Sequence, residues 1–90
     1  MGRERGLMPA EVVLYTRPGC HLCDEARDAL AALRGAGARF ELREVDIEGE
    51  ERLLGAYMER IPVVEVAGEV VSELTLDVDA VRSRLDTVAA

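Results

Sequence analysis

Tryptophan and lysine are absent from this 90-residue chain, aromatic residues make up 3% of it, and only two cysteines and one histidine occur. Each scarcity excludes something. Few aromatics leave no stacking platform for nucleic-acid bases. The formal net charge of −7 repels phosphate backbones and anionic lipid surfaces, so neither nucleic acid nor a membrane is expected as a partner. All eleven basic residues are arginine, which we read as a compositional bias rather than a functional feature. Two cysteines cannot build a disulfide scaffold. No apolar run approaches the roughly 20 residues that span a bilayer. The opening "MGRERGLMPA" is charged and has no apolar stretch of a secretory signal. A flexible leader over residues 1–10 and a cytoplasmic location are the expectations, and disulfides in that compartment are more often transient and catalytic than structural.

Hydrophobic residues at 49% and charged residues at 32% describe one small globular domain, expected over residues 11–90. "EVVLYT" (11–16) reads as a buried central strand that stops at "RPG". From Cys20 to about Arg34, Leu22, Ala26, Ala29, Leu30 and Leu33 recur at helical spacing, and "RGAG" ends that helix. "RFELREVDI" alternates at Phe40 and Leu42, then slips phase to Val45 and Ile47, which predicts a strand over 39–45 with a bulge. "GEERLLGAYME" predicts a short helix, with Leu53, Leu54, Tyr57 and Met58 on one side. Core packing is expected of Tyr15, Tyr57 and Met58. "IPVVEVAGEVVSE" reads as a hairpin turning at Ala67-Gly68. Leu74, Val78, Val81, Leu85 and Val88 then mark a final amphipathic helix, capped by Thr75 or Asp77. The order β-α-β-α-β-β-α predicts an α/β fold: a four-stranded mixed sheet with helices on both faces and a right-handed first crossover.

Chemistry concentrates in "RPGCHLCDEA" (17–26). Its two cysteines admit three readings: a redox pair, a metal site, or two ordinary thiols. Cys20 falls at a helix start, where unpaired N–H groups and the positive end of the dipole favour a thiolate, and Arg17 adds positive charge nearby. Cys23 follows one turn later, a spacing that lets the sulfurs close a disulfide and that marks a redox motif beside a βαβ pattern. Cys20 would then attack a substrate disulfide and Cys23 would resolve the mixed disulfide. Asp24 and Glu25 stabilise the helix start but oppose a nearby thiolate. His21 is either a tuner of that thiolate or an exposed first-turn residue, and we favour the second reading.

The stretch "VVLYTRPGCHLCDEA" resembles the active-site segment of the glutaredoxin-like proteins of the thioredoxin superfamily. "EVDIEGEERLLGAYMERIPVVEVAGEVV" resembles the remainder of their fold. The resemblance runs from about Val12 to Leu85. It implies a thioredoxin-like fold and thiol–disulfide oxidoreductase activity, with Cys20 as nucleophile and Cys23 as resolving thiol. It implies a cis peptide at Pro62 facing the cysteines, with the Ile61 backbone pairing with an extended thiol substrate. Arg17 stands where glutaredoxins often carry a lysine that attracts the glutathione carboxylate. Leu22 replaces the aromatic residue of the common C-P-Y-C motif. Val71-Ser72-Glu73 replaces the glycine pair that lets glutathione approach the backbone, and Glu73 adds negative charge there. Substrate contacts are thus assigned to Arg17, His21, Leu22, Ile61 and Pro62. No tightly bound cofactor is expected. Glutathione or a thioredoxin-reductase-type enzyme is the expected reductant, a disulfide-bearing protein or small thiol the expected substrate, and a monomer the expected state. The rival readings are an iron–sulfur or metal carrier using the same cysteines, and a thioredoxin-fold binding module without exchange activity.

Overall fold

The computed structural model describes residues 9–89. Strand β1 spans Ala10–Thr16, helix α1 His21–Gly35, strand β2 Phe40–Asp46, helix α2 Glu51–Tyr57, strand β3 Val63–Val66, strand β4 Glu69–Glu73 and helix α3 Val78–Ala89. A 3-10 turn over Ile47–Gly49 precedes α2. Most of the expected leader lies outside the described residues, but Ala10, placed in it, is the first residue of β1.

The sheet order is β2-β1-β3-β4, with β1 parallel to β2 and antiparallel to β3, and β3 antiparallel to β4. Successive strand residues face opposite sides of a sheet. On one side Val12, Leu14, Val64 and Val66 pack with Ala26, Leu30 and Leu33 of α1 and with Val81 and Leu85 of α3. On the other, Tyr15 meets Tyr57 of α2, with ring centroids 4.9 Å apart. Helices therefore cover both faces of a four-stranded mixed sheet. Leu14, Leu30, Val12 and Val64 are fully buried, and each such side chain contributes about 1.5–3 kcal/mol of transfer free energy.

Several expectations need correction. The phase slip in "RFELREVDI" is not a bulge: β1 and β2 pair in continuous register from Ala10↔Phe40 to Thr16↔Asp46. Instead, Phe40 and Leu42 pack with the α1–α3 core, Val45 projects to the opposite face, and Ile47 is buried in the 3-10 turn beyond the strand. The Asp46 carboxylate starts that turn by accepting from the Glu48 N–H at 2.9 Å. The register shift of the sheet falls between β3 and β4, at Val64/Glu65. Met58 is 45% exposed, because α2 closes at Tyr57 and the chain turns away. Leu74 lies outside the final helix and is exposed, so the buried stripe of α3 reduces to Val81 and Leu85.

The β3–β4 hairpin turns on Ala67 (φ 52°) and Gly68 (φ 85°). Two consecutive left-handed residues are what a two-residue type I′ hairpin needs. Glycine meets that need without steric cost, whereas alanine does so at about 1 kcal/mol. Asp77 caps α3, its Oδ1 accepting from the Ala80 N–H at 3.0 Å, as an N-cap aspartate should. Between β4 and that cap the Ser72 hydroxyl, almost fully buried, donates to the Thr75 carbonyl at 3.3 Å and accepts from the Asp77 N–H at 2.9 Å. The Leu74 N–H donates to the Arg60 carbonyl at 3.0 Å, so the connection is held by this hydroxyl and by that backbone bond.

Candidate functional site

β1 ends at Thr16 and the chain reverses over Arg17–Cys20, where the Cys20 N–H donates to the Arg17 carbonyl at 3.2 Å. Pro18 and Gly19 fill the two middle positions. Gly19 adopts φ 79°, the conformation a type II turn requires after its proline. The turn delivers Cys20 as the N-cap of α1, with extended backbone (φ −86°, ψ 106°), and its Sγ accepts from the Cys23 N–H at 3.1 Å. Cysteine thus occupies a position where serine, threonine or aspartate normally accepts from the third helical amide. Whatever negative charge that sulfur carries faces the helix's positive end.

Cys20 and Cys23 are joined as a disulfide, with Cα atoms 5.2 Å apart. Their environments differ: Cys20 is half-buried, whereas Cys23 is 1% exposed beneath the first turn. The two cysteines therefore differ in exposure along one helix turn.

Strand register brings the other parts of the sequence to the same end of the sheet. Tyr15 pairs with Val63, so the end of β1 adjoins the start of β3, which Pro62 immediately precedes. Thr16 pairs with Asp46, which brings the 3-10 turn with Glu48 alongside. Val63 also pairs with Glu73, so β4 ends there too. The peptide between Ile61 and Pro62 is cis, and Pro62 is fully buried.

The candidate substrate residues fare differently. Arg17 opens the turn that leads to Cys20, but its Nε is held by Glu48 Oε2 at 2.8 Å, so its charge is already partnered. His21 has an 86% exposed side chain tied to Glu25 at 3.2 Å, one helix turn on, which supports the first-turn reading. Leu22 is 42% exposed on the surface of α1. For Ile61 the expectation of a free backbone needs correction. Its N–H donates to the Tyr57 carbonyl at 3.1 Å, closing the turn that follows α2. Among the described residues its carbonyl accepts nothing, so only half of its backbone is open to an extended chain.

Charge around the site is arranged in pairs. Asp24, in the first turn of α1, and Glu44 of β2 both hold Arg27 at 2.8 Å. Those two bonds, Glu44 first, push the guanidinium pKa well above its ordinary range. Asp24 therefore acts on the helix start as part of a compensated cluster, not as a bare carboxylate. Glu73 binds Arg60, which holds the carboxyl below and the guanidinium above their usual values. Arg60 also lies over the Tyr57 ring, 5.3 Å from its centroid. Arg60 was not singled out from the sequence, and Ser72 only as part of Val71-Ser72-Glu73; their roles depend on strand ends that only the folded sheet brings together.

A groove of about 140 Å³ runs from Leu22, between the two cysteines, along α1 and the loop after β4, lined by Leu22, Glu25, Ala26, Ala29, Thr75 and Leu76. Among the described residues no cluster of three histidine, cysteine or carboxylate side chains is placed to hold a metal ion. No helix among them is long and apolar enough to cross a membrane.

A CxxC disulfide on the N-terminus of the first helix, beside a buried cis-proline and on a four-stranded mixed sheet, defines a thioredoxin-like domain. The chain belongs to the Glutaredoxin-like domain family (DUF836), whose model matches residues 11–86. The X-ray structure of a structural-genomics target protein from X. campestris is 38% identical with a TM-score of 0.66, covering 84% of this chain and 96% of that one. The solution structure of the same target gives 39% identity and a TM-score of 0.64, covering 84% and 92%. A mutant thioredoxin from Halobacterium salinarum is 19% identical with a TM-score of 0.61 over 94% of this chain and 79% of that one, a likeness of fold alone. No curated protein matches the chain significantly.

Proposed function

We propose that this protein is a thiol–disulfide oxidoreductase that cycles Cys20 and Cys23 between dithiol and disulfide. The carrying observation is the position of Cys20. It is the N-cap of α1, partly exposed, and its Sγ accepts the Cys23 N–H. In the reduced protein the Cys20 thiolate attacks one sulfur of a substrate disulfide, and the other substrate sulfur leaves as a thiolate. The Cys23 thiol then loses its proton to solvent or to that leaving thiolate and attacks Cys20 Sγ. The second substrate thiolate departs and the Cys20–Cys23 disulfide forms. Two electrons have passed from the pair to the substrate. Burial of Cys23 fits it to resolve rather than to initiate, because a sheltered sulfur meets only the sulfur already bound to its neighbour.

The test is a redox titration of the pair against graded glutathione buffers, read by alkylation and mass. The expected result is one reversible two-electron transition between roughly −180 and −270 mV, the range of working oxidoreductases. Alkylation of both thiols at every potential would refute the reading. Cys23→Ser should still form the mixed disulfide through Cys20 but release protein substrates slowly; unchanged turnover would remove Cys23 from the resolving step.

A further inference from the structure

We propose that Glu48 is a specificity-determining residue of the exchange reaction: by occupying Arg17, the only charged residue of the turn that ends in Cys20, it withholds that cation from the substrate and steers the protein away from anionic disulfides toward neutral and cationic ones. This rests on the exchange reading above and names the charge class of its substrate.

The fold delivers Glu48 to that turn. β1 and β2 run parallel and pair to their last residues, Thr16↔Asp46, so the segments that follow both strands leave at the same end of the sheet. Arg17 is the first residue beyond β1, and Glu48 is the second beyond β2. Ile47, between Asp46 and Glu48, is fully buried, and the Asp46 carboxylate accepts from the Glu48 N–H at 2.9 Å. On the other side the Cys20 N–H donates to the Arg17 carbonyl at 3.2 Å. Both backbones are thus held independently of the ion pair. Between them Arg17 Nε donates to Glu48 Oε2 at 2.8 Å, with the two side chains 39% and 42% exposed. Anchored backbones reduce the ordering cost that leaves many exposed ion pairs without effect.

The neighbouring basic groups are occupied as well. Arg27 is held by Asp24 and Glu44, Arg60 by Glu73, and the His21 imidazole by Glu25. Arg17 differs from them in two ways. Its own carbonyl holds the amide of the attacking cysteine, and Glu48 is its one carboxylate partner among the described residues. Arg27 keeps a second carboxylate if either is lost, and Arg60 keeps its place over the Tyr57 ring.

An anionic disulfide approaching Cys20 therefore finds the cation of the turn already neutralised, on a chain of net charge −7. A neutral or cationic disulfide loses nothing by this. Specificity is a difference between partners, and withholding an attractive charge from one of them creates it. Removing the Glu48 charge would offer a free guanidinium to substrate carboxylates. At about 6 Å in high dielectric one such charge pair changes a rate about threefold.

The experiment follows single-turnover reduction of three disulfides of similar size by the pre-reduced protein, with acid quenching and chromatography of the released thiol. Hydroxyethyl disulfide is neutral, dithiodipropionate is a dicarboxylate and cystamine is a diamine. Rates are taken relative to hydroxyethyl disulfide, which cancels any change in the nucleophilicity of Cys20. Glu48→Gln, which keeps the size of the side chain, should raise the relative rate of dithiodipropionate about threefold at low salt and lower that of cystamine by a similar factor. Both changes should disappear near about 0.5 M salt. The double variant Arg17→Gln with Glu48→Gln, again neutral at this pair, should return both ratios to those of the unsubstituted protein. Ratios unmoved in Glu48→Gln, both ratios moving in the same direction, or changes that persist at high salt or in the double variant would overturn the role of Glu48 while leaving exchange intact. No thiol released from any of the three disulfides by the unsubstituted protein would overturn the exchange reading and this proposal with it.

Discussion

Replacing Ser72 by alanine removes one oxygen and tests how the wall of the groove is held. The hydroxyl makes two bonds across the β4–α3 connection: a good one from the Asp77 N–H at 2.9 Å and a longer one to the Thr75 carbonyl at 3.3 Å. A well-formed hydrogen bond has a net worth of about 1 kcal/mol, and the longer bond is worth less. Serine is 7% exposed, so water reaches the vacated amide poorly, and an unsatisfied donor adds part of its desolvation cost of about 1–3 kcal/mol. The sum for Ser72→Ala is about 2 kcal/mol. Urea unfolding followed by far-ultraviolet circular dichroism reads it, since the chain has no tryptophan. With a slope of about 1–2 kcal/mol/M for a domain of this size, the midpoint should fall by about 1–2 M with the slope unchanged. A loss under about 0.5 kcal/mol would refute the reasoning, because it would mean that the loop keeps its shape without the hydroxyl.

The β3–β4 turn and the Tyr15 hydroxyl each carry a further expected outcome. Ala67→Asn should raise stability by about 0.5–1 kcal/mol in the same unfolding assay, since asparagine tolerates the left-handed conformation that alanine holds at φ 52°; an unchanged or lowered midpoint would contradict this. The Tyr15 hydroxyl has its pKa raised above 10.0 by burial first and by the nearby Glu65 carboxylate second. Folding favours its protonated form, so its contribution is whole below the unfolded value and is lost as pH rises through the raised one. Tyr15→Phe should therefore flatten the alkaline fall of stability above about pH 10, and parallel curves for the two proteins would refute the assignment.

Local chemistry and periodicity determined much of this protein by sequence alone. The period-two and period-3.6 patterns placed four strands and three helices because burial of one face is written directly into residue spacing. "RPGC" carried its own turn, since proline and glycine impose backbone angles without help from the rest of the chain. The N-cap position of Cys20 and the pairing of Cys20 with Cys23 were legible for the same reason: both are contacts within one helix turn. Tertiary structure alone decided what lies across the sheet. β2 turned out to present apolar residues to both faces, which an alternation count reads as a slip. The pairing of Arg17 with Glu48, 31 residues away, and of Arg60 with Glu73 emerged only when register brought the strand ends together. Ile61 lost its free amide to the turn after α2, a contact set by how that helix ends. The groove is likewise tertiary: one wall comes from α1 and the other from a loop some fifty residues later, which the Ser72 hydroxyl helps to hold. Spacing along the chain specifies which residues share a face; which faces and strand ends meet depends on the packing of the whole domain.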